Sequence, residues 1–175
     1  MNSRFSSIPV TETGKIQKLV VEYLKRNPSL KSLYKFEPEI DSIEKAILLK
    51  RSFPSTSREI LSASLKSQYD EAGMLTSELE EHIDSLKSSD TFTITTGQQN
   101  GILLGPLYTV LKICSAISLA DELTKRYPEK KFIPVFWMAT EDHDIEEIRS
   151  VSVMAEKYKW ETKQTGAAGR LSNEG

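Results

Sequence analysis

The stretch from Thr91 to Met138, "TFTITTGQQNGILLGPLYTVLKICSAISLADELTKRYPEKKFIPVFWM", changes its periodicity twice, and the order of those changes decides the fold. Its first residues, "TFTITT", are β-branched and aromatic and run into Gly97, the pattern of a short strand entering a turn. From Gly105 or Pro106 to about Tyr127, residues Leu107, Val110, Leu111, Cys114, Ile117, Ala120 and Leu123 keep helical spacing, and Pro106 suits a first helical turn. The nearly continuous apolar run "KFIPVFWMAT" then reads as a strand covered on both faces. A strand, a crossover helix and a second buried strand form a βαβ unit, so the chain is predicted to be α/β with a parallel sheet. "RSVSVMA" and "YKWETK" are candidates for further strands, in an order the sequence does not fix.

Upstream of residue 90 every persuasive periodicity is helical, which predicts an N-terminal helical segment over 1–89 and a core beginning at 90 and running to 175. Ile16, Leu19, Val20, Tyr23 and Leu24 gather on one face of a helix closed by Asn27 and Pro28. A second helix is expected around Ile40, Ile43, Ile47 and Leu48, with Glu39 or Asp41 near its positive end. Thr56 with Glu59 spells a capping box ahead of a stripe of Ile60, Leu61, Leu65 and Tyr69 that stops at Gly73, and Ser77 with Glu80 repeats the box before "LEEHIDSLK".

Composition narrows the function classes. Lys plus Arg number 23 and Asp plus Glu 25, a net charge of −2 that offers no broad field for nucleic acid or a membrane surface. A single cysteine excludes an internal disulfide and a multi-cysteine zinc site. The N-terminal residues carry no apolar core of a signal peptide, and no apolar run is long enough to span a bilayer, so the expected compartment is the cytoplasm.

Ligands of open parallel sheets sit at the carboxyl ends of strands, where loops meet helix N-termini. Two loops occupy that place, "GQQNGILLGP" and "TEDHDIEE". In the first, Gly97, Gly101 and Gly105 allow close backbone approach or positive φ, and the N–H groups opening the helix near Pro106 favour phosphate or carboxylate. Gln98, Gln99 and Asn100 can each donate and accept hydrogen bonds. The segment has neither the Gly-Lys-Ser/Thr of a P-loop nor G-x-G-x-x-G, so glycines that merely turn the chain remain an equal reading. In the second loop, Glu141, Asp142, His143 and Asp144 could position an amine, hold a divalent cation or move a proton. Asp144 with Glu147 also matches a capping box, and Glu146 reads as solvated, whereas Asp142 and His143 have no such structural role. A zinc site is not expected, because adjacent Asp and His rarely both chelate and no second histidine lies nearby. Lys112, about two turns into the helix, can reach toward a phosphate or toward solvent. Cys114 and Trp137 read as core, and His82 as a surface residue.

Together the two loops resemble a known family. "TTGQQNGILLGPLYTVLKICSAISLADEL" followed by "IPVFWMATEDHDIEEI" is similar to the N-terminal part of the BshC family, the cysteine ligases of bacillithiol biosynthesis. "SREILSASLKSQYDEAG" and "GAAGRL" extend the likeness over most of the chain. The resemblance implies a Rossmann-like core akin to nucleotidylyltransferases and class I aminoacyl-tRNA synthetases, in which loops after two strands hold an adenylate. It implies ligation of L-cysteine to glucosaminyl-malate with ATP activating the cysteine carboxylate, a divalent cation such as Mg as a possible companion, and a homodimer for the full-length protein. Gly97, Gln98, Gln99, Gly105, Pro106, Tyr108 and Lys112 would then form the nucleotide or substrate loop, with Glu141 beside it. Asp142, His143 and Asp144 would carry the catalytic wall. The His-x-Gly-His motif of nucleotidylyltransferases is absent, with "GQQNG" where it would stand.

Family members are several times longer, so the chain, stopping at "RLSNEG", is expected to hold the first part of the core and to be inactive by itself. The alternative is a nucleotide- or anion-binding or assembly module without turnover. A third reading is a nucleotide-dependent enzyme with a different amine substrate.

Overall fold

The computed structural model describes residues 6–101 and 105–172, with the side chain of Glu147 outside that description. By compactness the chain divides into two units, Met1–Ser52 and Phe53–Gly175, so the change of periodicity at residue 90 falls inside the second.

In the first unit, helix α1 spans Lys18–Leu24 and α2 spans Ile43–Lys50, the latter entered through a 3-10 turn at Ile40–Ser42. The expected stripe of α1 is covered only in part, at Ile16 and Tyr23. Leu19, Val20 and Leu24 are exposed, while Val21 and Tyr23 are half-buried and Tyr23 meets the Tyr34 ring edge-on at 4.9 Å. Ile47 is buried in α2 and Leu48 is exposed. Asn27 closes α1 through its main chain, its N–H donating to Glu22 O at 2.9 Å behind Arg26 at φ 56°, and its side chain caps the next 3-10 turn, Pro28–Leu30, accepting from the Ser29 N–H at 3.0 Å.

The second unit opens with α3 (Ser55–Glu71) and α4 (Ser77–Ser85), which pack together. Neither expected capping box forms as read. Helix α3 begins one residue before Thr56, behind Pro54, with no side-chain cap. In α4 the cap is Thr76, whose hydroxyl accepts from the Leu79 N–H at 3.2 Å. A Thr fits this place because its β-region backbone leaves the Oγ1 facing an unpaired N–H. The covered face of α3 is Arg58, Ser62, Leu65 and Tyr69, spaced four, three and four, whereas Ile60 and Leu61 stay exposed. Arg58 is 8% exposed, and its Nη1 donates to Leu86 O at 2.9 Å and Thr91 O at 3.1 Å. Leu86 is the C-cap of α4, so the guanidinium sits on the negative end of that helix. The Phe53 ring lies 5.8 Å from Arg58 Cζ. Arg58 Nε and the fully buried Ser62 Oγ find no hydrogen-bond partner among the described residues.

Strand β1 (Thr91–Gln98), helix α5 (Leu107–Arg126) and strand β2 (Lys131–Met138) form the βαβ unit. The strands pair in parallel, Thr91 opposite Lys131 and Gln98 opposite Met138. Gly97 lies within β1 rather than ending it, opposite Trp137. A Cβ there would come within 2.9 Å of Trp137 O, so only glycine allows this strand spacing. Helix α5 packs on both strands. Its buried positions are Thr109, Ala116, Ala120 and Leu123, so the expected stripe is buried only at its C-terminal end, at Ala120 and Leu123. Leu107, Leu111, Ile117 and Cys114 are exposed. Alanines let the helix backbone approach the sheet closely, and Leu123, fully buried, fills the space that remains. Phe92 stacks on Phe132 at 5.8 Å below it. Strand β2 is covered only in its first half: Phe132 and Ile133 are buried, but Trp137 is 59% exposed.

Helix α6 (Ile145–Ile148) follows, then a separate antiparallel hairpin of β3 (Ser150–Val153) and β4 (Glu156–Lys159), so the two further candidate strands do not join the parallel sheet. Met154 and Ala155 turn it in the left-handed region, φ 50° and 70°. No helix among the described residues is long and apolar enough to cross a membrane.

Candidate functional site

The parallel register carries Gln98 and Met138 to the same end of the sheet, and the Ala139 N–H extends the pairing by donating to Gln98 O at 3.1 Å. The loops that leave β1 and β2 therefore start side by side. A cleft of about 470 Å³ opens there, lined by Gln98, Gln99, Gly101, Pro106, Tyr108 and Ile148. Four of the expected site residues, Gln98, Gln99, Pro106 and Tyr108, thus line one cleft. Ile148, the apolar floor contributed by α6, carries no polar signal by which sequence could single it out.

A directed series of hydrogen bonds crosses this end of the sheet. Lys112 Nζ donates to Gly97 O and, at 3.3 Å, to Gln98 Oε1. Gln98 Nε2 donates to Gln99 Oε1 at 2.6 Å, and Gln99 Nε2 donates to Asp142 Oδ2 at 2.8 Å. A cation and a carboxylate are thereby joined through two primary amides, each of which uses its oxygen toward the cation and its nitrogen toward the anion. Lys112 Nζ also stands 4.9 Å from the Tyr108 ring centroid. Its amine is turned back to the sheet, neither to solvent alone nor along the helix.

Asp142 is half-buried and its Oδ1 accepts from the Asp144 N–H at 3.2 Å. The Gln99 amide, then the main-chain N–H groups of Asp144 and His143, hold its carboxyl below the usual carboxylate range; partial burial opposes this, and the His143 charge adds to it. Because the folded value is depressed, the stabilisation these bonds supply is complete above the ordinary carboxylate range and is lost as pH falls through the folded value. Replacing Gln99 by leucine should move the Asp142 titration upward, since the largest cause of the depression goes. Carboxyl 13C chemical shifts followed against pH would measure it, and an unmoved midpoint would contradict the bond.

The other members of the second loop are less enclosed. His143 and Asp144 are exposed, and Glu141 accepts from Trp137 Nε1 at 3.3 Å. That bond uses the exposed indole that the sequence assigned to the core. The expected Asp144 and Glu147 capping box falls on Glu147, whose side chain lies outside the described residues. His82 is half-buried in the last turn of α4.

Pro106 is the N-cap of α5 in extended geometry, φ −67° and ψ 154°, rather than its first helical residue, and among the described residues no side chain caps the helix. Gly105, φ 73°, makes the reversal into it. A helix of this length presents roughly half a positive charge at its start, together with its unpaired N–H groups. Residues 102–104, in the middle of the loop, lie outside the described residues. Among the described residues no group of three or more His, Cys, Asp or Glu side chains is placed to hold a metal ion.

Residues 4–174 match the family model for the bacillithiol biosynthesis protein BshC, N-terminal Rossmann-like domain. A protein of Flavobacterium psychrophilum named "Putative cysteine ligase BshC" is 44% identical over 168 residues, covering 94% of this chain and 31% of its own length. Its namesake in Flavobacterium johnsoniae is 42% identical over 164 residues, with 93% and 31% covered, and that of Cytophaga hutchinsonii 40% over 168, with 96% and 32%. The chain thus spans about a third of the length of these relatives. With its parallel βαβ unit and the match running over nearly every residue, the chain belongs to the BshC family, as its N-terminal Rossmann-like domain.

Proposed function

We propose that this chain supplies two walls of the active site of a cysteine ligase, which joins L-cysteine to glucosaminyl-malate to form bacillithiol with consumption of ATP. The observation that carries the reading is the Lys112, Gln98, Gln99, Asp142 series at the carboxyl ends of β1 and β2, beside a cleft and an uncapped helix start. Forming an amide from a free carboxylate requires an activated acyl group and a site that excludes water.

The donor set fits a nucleotide. The N–H groups at the start of α5 and the Gln98 and Gln99 amides suit phosphate and polar edges, and Tyr108 offers a flat apolar face. ATP, when bound, would supply the activation of the cysteine carboxylate. The residues of the chain do the rest. Asp142, kept ionised by its hydrogen bonds, is a weak base and a good partner for an ammonium, so it holds the amino group of cysteine. His143, exposed beside it, would accept the proton that the attacking glucosaminyl amine loses as its nitrogen bonds to the acyl carbon, while the bond from that carbon to the activating phosphate oxygen breaks and the phosphate-bearing group leaves with the electron pair. Asp144 acts through its N–H, fixing the Asp142 carboxylate. Glu141 anchors the indole at the rim.

Calorimetry with ATP, ADP and L-cysteine on this chain, beside a turnover assay on the protein at the length of its relatives, tests the proposal. The longer protein should consume ATP only when cysteine is present. ATP consumption indifferent to cysteine, or nucleotide binding by both forms with no turnover in either, would replace the ligase by a binding module.

A further inference from the structure

The segment "GAAGR", Gly166 to Arg170, has no place in the chemistry above, yet it docks on the loop that carries Asp142. Gln164 closes the neck of a loop over 164–172: its Nε2 donates to Ser172 O at 2.7 Å, and the Ser172 N–H donates to its Oε1 at 2.9 Å. At the tip, a 3-10 turn at Ala168–Arg170 presents two successive N–H groups. The Ala168 N–H donates to Asp142 O and the Gly169 N–H to Thr140 O, both at 2.8 Å. The Ala168 side chain is buried behind them.

These two bonds grip the second loop at both ends of Thr140, Glu141 and Asp142. Its other main-chain bonds here are short-range: Thr140 N–H to Met138 O at 2.8 Å, and Asp142 N–H to Ala139 O at 3.3 Å. Such bonds shape a turn without fixing where the turn points. The approach is also too close for any side chain at 169. A Cβ there would lie 2.7 Å from Thr140 Cβ and 3.3 Å from Thr140 O, so either the tip or the loop would have to move.

We propose that the 164–172 loop is a strap that sets the position of Asp142, and that Gly169 is a positioning residue for the ammonium-binding carboxylate. The consequence for catalysis rests on the ligase reading, but the strap itself does not. Placement of the Asp142 main chain by the strap is what lets its carboxylate meet Gln99 from one side and the Asp144 N–H from the other.

The experiment is NMR on this chain without ligand. In the wild type the Ala168 and Gly169 amides should be protected from hydrogen exchange. Gly169→Ala should speed their exchange at least tenfold and raise the pH at which the Asp142 carboxyl titrates, because the Gln99 bond no longer aligns. Gln164→Ala opens the neck without placing an atom against Thr140. It should change both readouts in the same direction, and it serves if the alanine at 169 prevents folding. Ala167→Ser, outside both bonds, should change neither. Unchanged exchange and unchanged Asp142 titration in Gln164→Ala would overturn the strap. If both readouts move while the longer protein keeps its cysteine-dependent turnover, the strap stands and the role given to Asp142 falls.

Discussion

Asp142→Asn in the longer protein is expected to lower cysteine-dependent turnover by about 10- to 100-fold, the loss that follows from one charge-assisted hydrogen bond worth ~1.5–3 kcal/mol. Asparagine is nearly isosteric but has one acceptor oxygen where the carboxylate has two, so the change removes the charge and with it the bond from either Gln99 or the Asp144 N–H. The effect should fall mainly on KM for cysteine if the carboxylate binds the ammonium equally in ground and transition states. Asp142→Ala with His143→Ala removes both the proposed anchor and the proposed proton acceptor. It should cost a further factor on the order of 10²–10⁴, the usual range for a positioned base. Turnover retained in the double variant would remove both residues from the chemistry. The depressed Asp142 titration bears on this division of labour, since a carboxyl held ionised by three donors is poorly suited to take a proton at neutral pH.

Arg58→Met should be the most damaging single change outside the site. It keeps most of the apolar stem and deletes the donor that satisfies Leu86 O and Thr91 O. Two carbonyls in a buried setting, left without that partner, cost roughly 2 kcal/mol each. A loss of about 4 kcal/mol corresponds to a fall in Tm of roughly 10–20 °C for a unit near this size. Both tryptophans, Trp137 and Trp160, belong to the second unit, so intrinsic fluorescence during heating follows that unit alone. Arg58→Lys retains the charge but cannot reproduce the planar fork, and an intermediate Tm is expected. A Tm within a degree or two of wild type for Arg58→Met would show that the guanidinium is not what ties α3 to the end of α4 and the start of β1.

The parts of the fold that sequence revealed are those with a local cause. Strand β1, helix α5 and strand β2 each carry their own period, and the parallel sheet follows from their order. Which face of a helix is covered depends on the neighbour instead. Helix α5 is apolar on two sides, and counting hydrophobic residues favoured a stripe from Leu107 to Leu123 of which only Ala120 and Leu123 are buried. The sheet took the side whose alanines permit close packing. Helix α3 misleads more strongly, because its covered positions include a serine and an arginine, the arginine held by carbonyls roughly thirty residues away. At the site, sequence identified both loops from their place after strands. The bond from Gln99 to Asp142, however, depends on the register of Gln98 against Met138, which no local pattern encodes. The docking of Gly169 on Thr140 was out of reach for the same reason, being backbone against backbone between two polar segments.

The amide series between Lys112 and Asp142 has a sense of direction, like a row of compass needles between two poles. Each glutamine is oriented by the charge at its end of the row, and neither can turn over without forfeiting bonds on both sides. The four positions should therefore tolerate change only in concert. Exchanging the terminal charges, a carboxylate at 112 for the amine and an amine at 142 for the carboxylate, would ask both glutamines to reverse together. A single charge exchanged alone would leave two like poles with the needles caught between them.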